Sequence, residues 1–234
     1  MRTVFPRMCG RCAMPVERLS LGAACASCWN RTRILTGDEP SCSKCGMVLK
    51  GSIVTSTETS STKCGRCDGH HYDRIFSVGF YEKALKVEIL NLKREPFIGS
   101  LTVGLLSATL MRMNHKGAII VPVPLSRRRL KERGFNQAEV IGRKLAKIHG
   151  MKIPTDSLAR TSHTPIHRAG MDAKAREATV KSAFSIEDPN RICGERIILV
   201  DDVFTSGATS SSCARVLKDA GASSVEVLTI ARTM

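Results

Sequence analysis

From residue 73 onward the chain alternates short apolar runs with stretches of helical period. Asp73-Arg74-Ile75-Phe76-Ser77-Val78-Gly79-Phe80 predicts a strand. Lys83 to Arg94 groups Leu85, Ile89, Leu90 and Leu92 on one side and predicts a helix, and Gly99 to Met113 predicts a second. Gly117-Ala118-Ile119-Ile120-Val121-Pro122-Val123-Pro124 is apolar and closed by prolines, as a buried strand running into a constrained loop would be. Phe135 to His149 repeats Phe135, Ala138, Ile141, Leu145 and Ile148 near the 3.6 spacing of a helix. Arg196 to Asp202 predicts another buried strand, Thr209 to Ala220 a helix ended by Gly221, and Ser224 to Ala231 a last strand. Strands alternating with helices predict an α/β fold with a mostly parallel sheet, whose ligands bind at the carboxyl ends of the strands.

Residues 1–70 break this pattern. They lack long apolar runs and are rich in Gly, Ser, Thr and Cys, and Ser52 to Lys63 reads as an exposed loop. Such a segment can hardly close a core of its own. It holds eight of the ten cysteines, in four C-x-x-C pairs: Cys9/Cys12, Cys25/Cys28, Cys42/Cys45 and Cys64/Cys67. Two residues between thiolates let both sulfurs reach one zinc ion at about 2.3 Å, and two such knuckles make a four-cysteine site. The 12 residues between Cys12 and Cys25 and the 18 between Cys45 and Cys64 both suit a zinc ribbon. Gly10, Gly46 and Gly65 directly follow cysteines, as tight turns require. Two structural zinc ions are therefore expected, with first and second pairs sharing one and third and fourth the other; a crossed pairing is the alternative. The predicted division is a double zinc ribbon over 1–70 and a second domain over 71–234. Cys193 and Cys213 have no nearby second thiol and read as small buried residues. His70 and His71 read as linker residues rather than ligands, because the cysteines already complete both sites.

Composition narrows the class. Among 234 residues, Lys and Arg number 36 and Asp and Glu 21, giving a formal charge of +15, which favours an anionic partner such as nucleic acid. The 42% hydrophobic fraction excludes global disorder. There is no apolar run of 18 residues to span a membrane, and no apolar region near Met1 to act as a secretory signal, so the expected location is cytoplasmic. Aromatic residues make up only 4%, too few for an extensive base-stacking platform, and Phe5 and Trp29 are the main ones in the ribbon segment.

One strand end carries candidate chemistry. Ile197-Ile198-Leu199-Val200 runs into Asp201-Asp202, and Thr205-Ser206-Gly207-Ala208-Thr209 then opens a helix. Successive backbone N–H groups and three hydroxyls at a helix N-terminus suit a phosphate monoester, and Gly207 lets the backbone approach it closely. Two adjacent carboxylates suit ribose hydroxyls or a hydrated Mg2+ rather than phosphate. The ligand so described has a 5-phosphate at one end and sugar hydroxyls beside it.

This block resembles the 5-phosphoribosyl 1-pyrophosphate (PRPP) loop of type I phosphoribosyltransferases. Val121-Pro122-Val123-Pro124-Leu125, Arg127-Arg128-Arg129-Leu130 and Arg133-Gly134-Phe135-Asn136-Gln137-Ala138, together with the four cysteine pairs, resemble the ComF family over essentially the whole chain. The resemblance implies a type I phosphoribosyltransferase fold behind the ribbons and a link to DNA uptake in natural transformation. It implies that Asp201 and Asp202 face the ribose as the catalytic pair. PRPP would contact these two together with Val203, Thr205, Ser206, Gly207, Ala208 and Thr209, with Pro124, Leu125 and Arg127 on the pyrophosphate side, in a loop running from Pro124 to Arg129, and with Mg2+ accompanying the ligand. Arg160-Thr161 and Ala183-Phe184 match the borders of the mobile flap of this fold, but His167 stands near the usual Gln and Thr179 near the usual Asn, and His163, Arg168, Lys174 and Arg176 fill the rest.

Between Arg127 and Lys147 lie Arg127, Arg128, Arg129, Lys131, Arg133, Arg143, Lys144 and Lys147 against Glu132 and Glu139. This is either a solvated face or a capture surface, with the first few residues taking pyrophosphate and Arg127, Arg128, Arg129, Lys131 and Arg133 also offering contacts to a nucleic-acid backbone. Asn136 and Gln137 read as helix-start caps. Three functions follow: a PRPP-binding ComF-type protein handling single-stranded DNA beside competence-machinery proteins; an active phosphoribosyltransferase in nucleotide salvage or metabolism, its acceptor unknown; or a ribbon adaptor that only senses PRPP.

Overall fold

The computed structural model describes residues 7–49, 63–65, 67–154, 157–161 and 183–234. Phe5, most of the Ser52–Lys63 loop, and His163, His167, Arg168, Lys174, Arg176 and Thr179 lie outside the described residues. In chain order the elements are α1 (Ala26–Asn30), β1 (Arg74–Phe80), α2 (Lys83–Leu92), α3 (Ser100–Met111), β2 (Ile119–Pro122), α4 (Arg127–Arg133), α5 (Gln137–His149), β3 (Leu158–Arg160), β4 (Phe184–Ile186), β5 (Arg196–Phe204), α6 (Ala208–Asp219) and β6 (Ser224–Arg232).

Four strands form a parallel sheet in the order β1-β6-β5-β2, and β3 and β4 form a separate antiparallel pair. Each central strand is apolar on both faces, so its side chains divide between two cores. Ile120, Ile198, Val200, Leu228 and Ile230 pack on one face with Leu85, Ile89 and Leu92 of α2, Leu106 and Leu110 of α3, and Ile141 and Leu145 of α5. Ile119, Val121, Ile197, Leu199, Val225 and Val227 pack on the other with Cys213, Ala214 and Leu217 of α6 and Leu158 and Phe184 of the small pair. Each such aliphatic side chain contributes about 1.5–3 kcal/mol on burial.

The cysteine-rich segment joins these cores. Cys9, Cys25, Cys28 and Trp29 are buried in the first, and Cys42, Cys45, Cys67 and Tyr72 in the second. Residues 33–35 also cover the outer edge of β1, where the Leu35 N–H donates to Val78 O at 2.8 Å. The buried Glu88 of α2 accepts from the Ala23 N–H, from the Gly99 N–H at 3.3 Å and from Thr102 Oγ1 at 3.1 Å, which ties the first knuckles to α2 and α3.

Several expectations need correction. Strand β5 runs to Phe204 rather than Asp202, because β6 also extends and supplies partners through the pairing of Phe204 with Arg232. The acid pair therefore lies inside a bonded ladder. Arg127 to Arg129 form the first turn of α4 rather than a loop: Ser126 Oγ accepts from the Arg129 N–H, and Gly134 ends the helix in the left-handed region. Leu90 is 43% exposed and Ile148 57%, since each lies one residue, or 100°, off the buried stripe of its helix. Cys193 is exposed, not buried; it lies in the turn after Pro189–Arg191, where its N–H donates to Pro189 O. Cys213 is buried as expected.

Candidate functional site

The carboxyl end of β5 sets out the acid pair. The Asp202 N–H donates to Asp201 Oδ1 at 2.8 Å. Burial, and then the negative charge of Asp202, push the Asp201 carboxyl up to about 8. Lys93, the C-cap of α2, reaches across the sheet end and brings Nζ to 3.1 Å from Asp202 Oδ2.

After Phe204 the chain turns through Thr205 and Ser206 into Gly207, the N-cap of α6. Gly207 has φ 80, and a β-carbon there would meet the Phe204 ring at 2.8 Å and His70 Cε1 at 2.9 Å, so only glycine fits. Thr205, Ser206, Ala208 and Thr209 are exposed around it. The first intrahelical bond runs from the Ser211 N–H to Gly207 O, which leaves the N–H groups of the first turn to an outside acceptor. His70 and His71 join no cysteine cluster, but they hold this loop from behind. His70 Nδ1 lies 2.5 Å from the Tyr72 hydroxyl, and His71 donates through its N–H to Ser211 Oγ at 3.1 Å.

A cleft of about 130 Å3 opens over the acid pair. It brings Asp201, Asp202 and Thr209 together with Pro124 and Leu125. Val203, Thr205, Ser206, Gly207, Ala208 and Arg127 do not line it; Thr205 and Ser206 face a second cavity of about 300 Å3 that reaches Cys45 and Cys67. Of the basic residues on α4, Arg129 and Arg133 line the cleft, while Arg127, Arg128 and Lys131 are exposed outside it. Arg128 is paired with Glu132 at 2.7 Å.

The lining residues that no sequence signal marked as ligand-binding include Lys93, Gln137 and Arg160. Gln137 is not a cap, because Asn136 Oδ1 already accepts from the Ala138 N–H at 3.1 Å. It is buried, its Oε1 accepts from Arg133 at 2.8 Å, and its Nε2 has no partner among the described residues. Asn136 also donates to Val123 O at 3.0 Å, which ties α5 to the Pro124 loop. Arg160 lies 5.3 Å over the Phe184 ring, with its charge facing Asp201 and Arg129.

The cysteines gather as Cys9, Cys12, Cys25 and Cys28 and as Cys42, Cys45, Cys64 and Cys67, with the four sulfurs of each group within 4.8 Å of one another. Pairing is sequential rather than crossed. Sulfur separations are 3.8 Å for Cys9–Cys28, 3.5 Å for Cys12–Cys25, 3.6 Å for Cys42–Cys67 and 3.5 Å for Cys45–Cys64. A tetrahedron with metal–sulfur bonds of about 2.3 Å has edges of about 3.8 Å, so both groups fit a zinc ion. They are far from the ~2.05 Å of a disulfide. The knuckles share one design: the Cys9 N–H donates to Met14 O and the Cys42 N–H to Met47 O, both at 2.8 Å, and the residues after Cys12 and Cys45 are left-handed, Ala13 at φ 56 and Gly46 at φ 66. Magnesium fits less well, because Asp202 is already held by Lys93.

A parallel α/β sheet with paired carboxylates before a glycine-opened helix, packed with two four-cysteine groups, defines a class of ribbon-bearing α/β proteins. No family model matches the sequence. The DNA utilization protein YhgH of Escherichia coli (strain K12) is 30% identical over 240 residues, 98% of each chain. Competence protein F of Haemophilus influenzae is 28% identical over 206 residues, 82% of this chain and 85% of that one. Competence protein ComFC of Bacillus subtilis is 35% identical over 123 residues, 50% of this chain and 46% of that one. The chain belongs to the family of these proteins, the ComF family. A solved glutamine phosphoribosylpyrophosphate (PRPP) amidotransferase from B. subtilis, complexed with ADP and GMP, aligns with a TM-score of 0.39 and 19% identity over 55% of this chain and 25% of that one, too slight a likeness to bear on the fold. Among the described residues no helix is long and apolar enough to cross a membrane.

Proposed function

We propose that this chain is a cytoplasmic, PRPP-binding protein of DNA uptake, whose second domain, over 71–234, is of phosphoribosyltransferase type. The 5-phosphate sits on the amides and hydroxyls of Thr205 to Thr209, Asp201 and Asp202 face the ribose hydroxyls, and Pro124, Leu125 and Arg127 stand on the pyrophosphate side. Magnesium comes with the ligand, and two zinc ions staple the segment over 1–70. The observation that carries this reading is Gly207, held at φ 80 as the N-cap of α6 directly behind the acid pair. The names of the relatives, DNA utilization and competence proteins, support a role with DNA, and the partners proposed with it are incoming single-stranded DNA and competence-machinery proteins. The exposed Arg127, Arg128 and Lys131 of α4, beside Arg129 and Arg133 at the cleft, support contact with its phosphates.

Calorimetric titration of PRPP against the zinc-loaded chain, beside Asp201→Asn, tests the first part. Saturable binding weakened at least tenfold by the substitution is expected, and no binding overturns the reading. Oligodeoxynucleotide anisotropy at rising salt tests the second. A steep loss of affinity is expected, and salt-insensitive or absent binding removes the DNA role. Release of pyrophosphate on adding nucleobases or amines would make the protein an enzyme.

A further inference from the structure

Lys93 stands where a PRPP site would be expected to leave room for magnesium. Four basic side chains, Lys93, Arg129, Arg133 and Arg160, and only two carboxylates, Asp201 and Asp202, line the cleft. The free cleft is therefore net positive without any metal. Lys93 is the one whose charge meets the outer acid directly, at 3.1 Å, while Asp201 is turned inward onto the Asp202 N–H. A divalent ion seated on this pair in the free protein would face an ammonium at contact distance and three guanidinium groups around it, all of like sign. Lys93 is not locked, however. It is the C-cap of α2, with its side chain 30% exposed on a flexible stem, and can swing away when a polyanion changes the balance.

We infer that Lys93 is the resident counter-ion of the acid pair and gives way to magnesium only when the metal arrives with a diphosphate. This rests on the phosphoribosyl reading for its second half alone. In free protein the pair binds no divalent ion, because lysine holds it. In the complex the diphosphate would cancel the surplus positive charge, Asp202 would be the carboxylate that holds the metal, and Lys93 would be released from it.

Manganese titration of the zinc-loaded, ligand-free chain, read by electron paramagnetic resonance, tests the first half. Lys93→Met is expected to gain a manganese site about tenfold or more tighter than any in the parent, lost again on adding Asp202→Asn. Lys93→Arg, which keeps the charge, is expected to match the parent; its gaining the same site as Lys93→Met, or Lys93→Met gaining none, overturns the inference. Calorimetry with PRPP tests the second half. In chelator, Lys93→Met is expected to bind about tenfold more weakly than the parent, and magnesium to bring the two within about threefold. An equal deficit with and without magnesium overturns the exchange. If the parent binds no PRPP at all, the phosphoribosyl reading falls while the manganese result still decides the role of Lys93.

Discussion

The guanidinium of Arg232, at the end of β6, donates to the backbone carbonyl of Cys45, a ligand position of the second cysteine group. Arg232 is buried, and its charge lies 5.4 Å over the Phe204 ring, immediately before the Thr205–Thr209 turn. A four-thiolate zinc site carries a formal double negative charge, and a buried guanidinium beside it is an apt balance. Arg232→Met should destabilise the fold by about 2 kcal/mol, the cost of an unmet buried acceptor together with a lost charge partner. It should also speed zinc release from one of the two sites. Thermal melts and a chromogenic chelator assay measure the two effects.

Asp201 gives a pH signature. Its carboxyl is raised from the ordinary carboxylate value to about 8 in the folded chain, by burial and then by Asp202. The folded state thus binds this proton more tightly than the unfolded state. Its stabilising effect is full below the unfolded value near 4 and is lost as pH rises toward about 8. Asp201→Asn should remove this slope, so the variant gains on the parent between pH 5 and pH 8. Melting temperatures across that range, in metal-loaded protein without ligand, check the sign.

Ala13 occupies the left-handed position that Gly46 fills in the matching knuckle. A β-carbon there costs about 1 kcal/mol, partly offset by the greater freedom of glycine in the unfolded chain. Ala13→Gly should leave stability unchanged or raise it by up to about 0.5 kcal/mol, whereas Gly46→Ala should lower it by about 1 kcal/mol or more. Urea midpoints of the two variants decide.

Gly207→Ala should cost about 1–3 kcal/mol in strain at φ 80 and push against Phe204 and His70. Binding of a phosphorylated sugar should fall further than stability does, because the loop amides themselves shift. Calorimetry at a temperature well below the variant's melting point separates the two.

Much of this was legible in the sequence because its causes are local. Ile197 to Val200 read as a strand since burial on both faces demands an unbroken apolar run, and the carboxylates after them stood out for lacking any packing role. The cysteine pairs declared themselves by spacing. The features with no local signal depend on distant contacts. Nothing near Lys93 says that α2 will end opposite Asp202, more than a hundred residues later in the chain. Gln137 looked like a cap because Asn136, which does the capping, is its neighbour. The pairing of β3 with β4 joins two three-residue strands far apart in sequence, too short for any periodicity to register.

Three cysteines of each group are buried against opposite faces of the same sheet, Cys9, Cys25 and Cys28 on one and Cys42, Cys45 and Cys67 on the other. Neither hydrophobic layer can be completed by side chains alone while its own knuckles are splayed. The newly made polypeptide is therefore expected to depend on capturing two ions, one for each side. In a zinc-starved cell the expected outcome is a half-assembled chain open to proteases, so that the supply of the protein follows the supply of the ion.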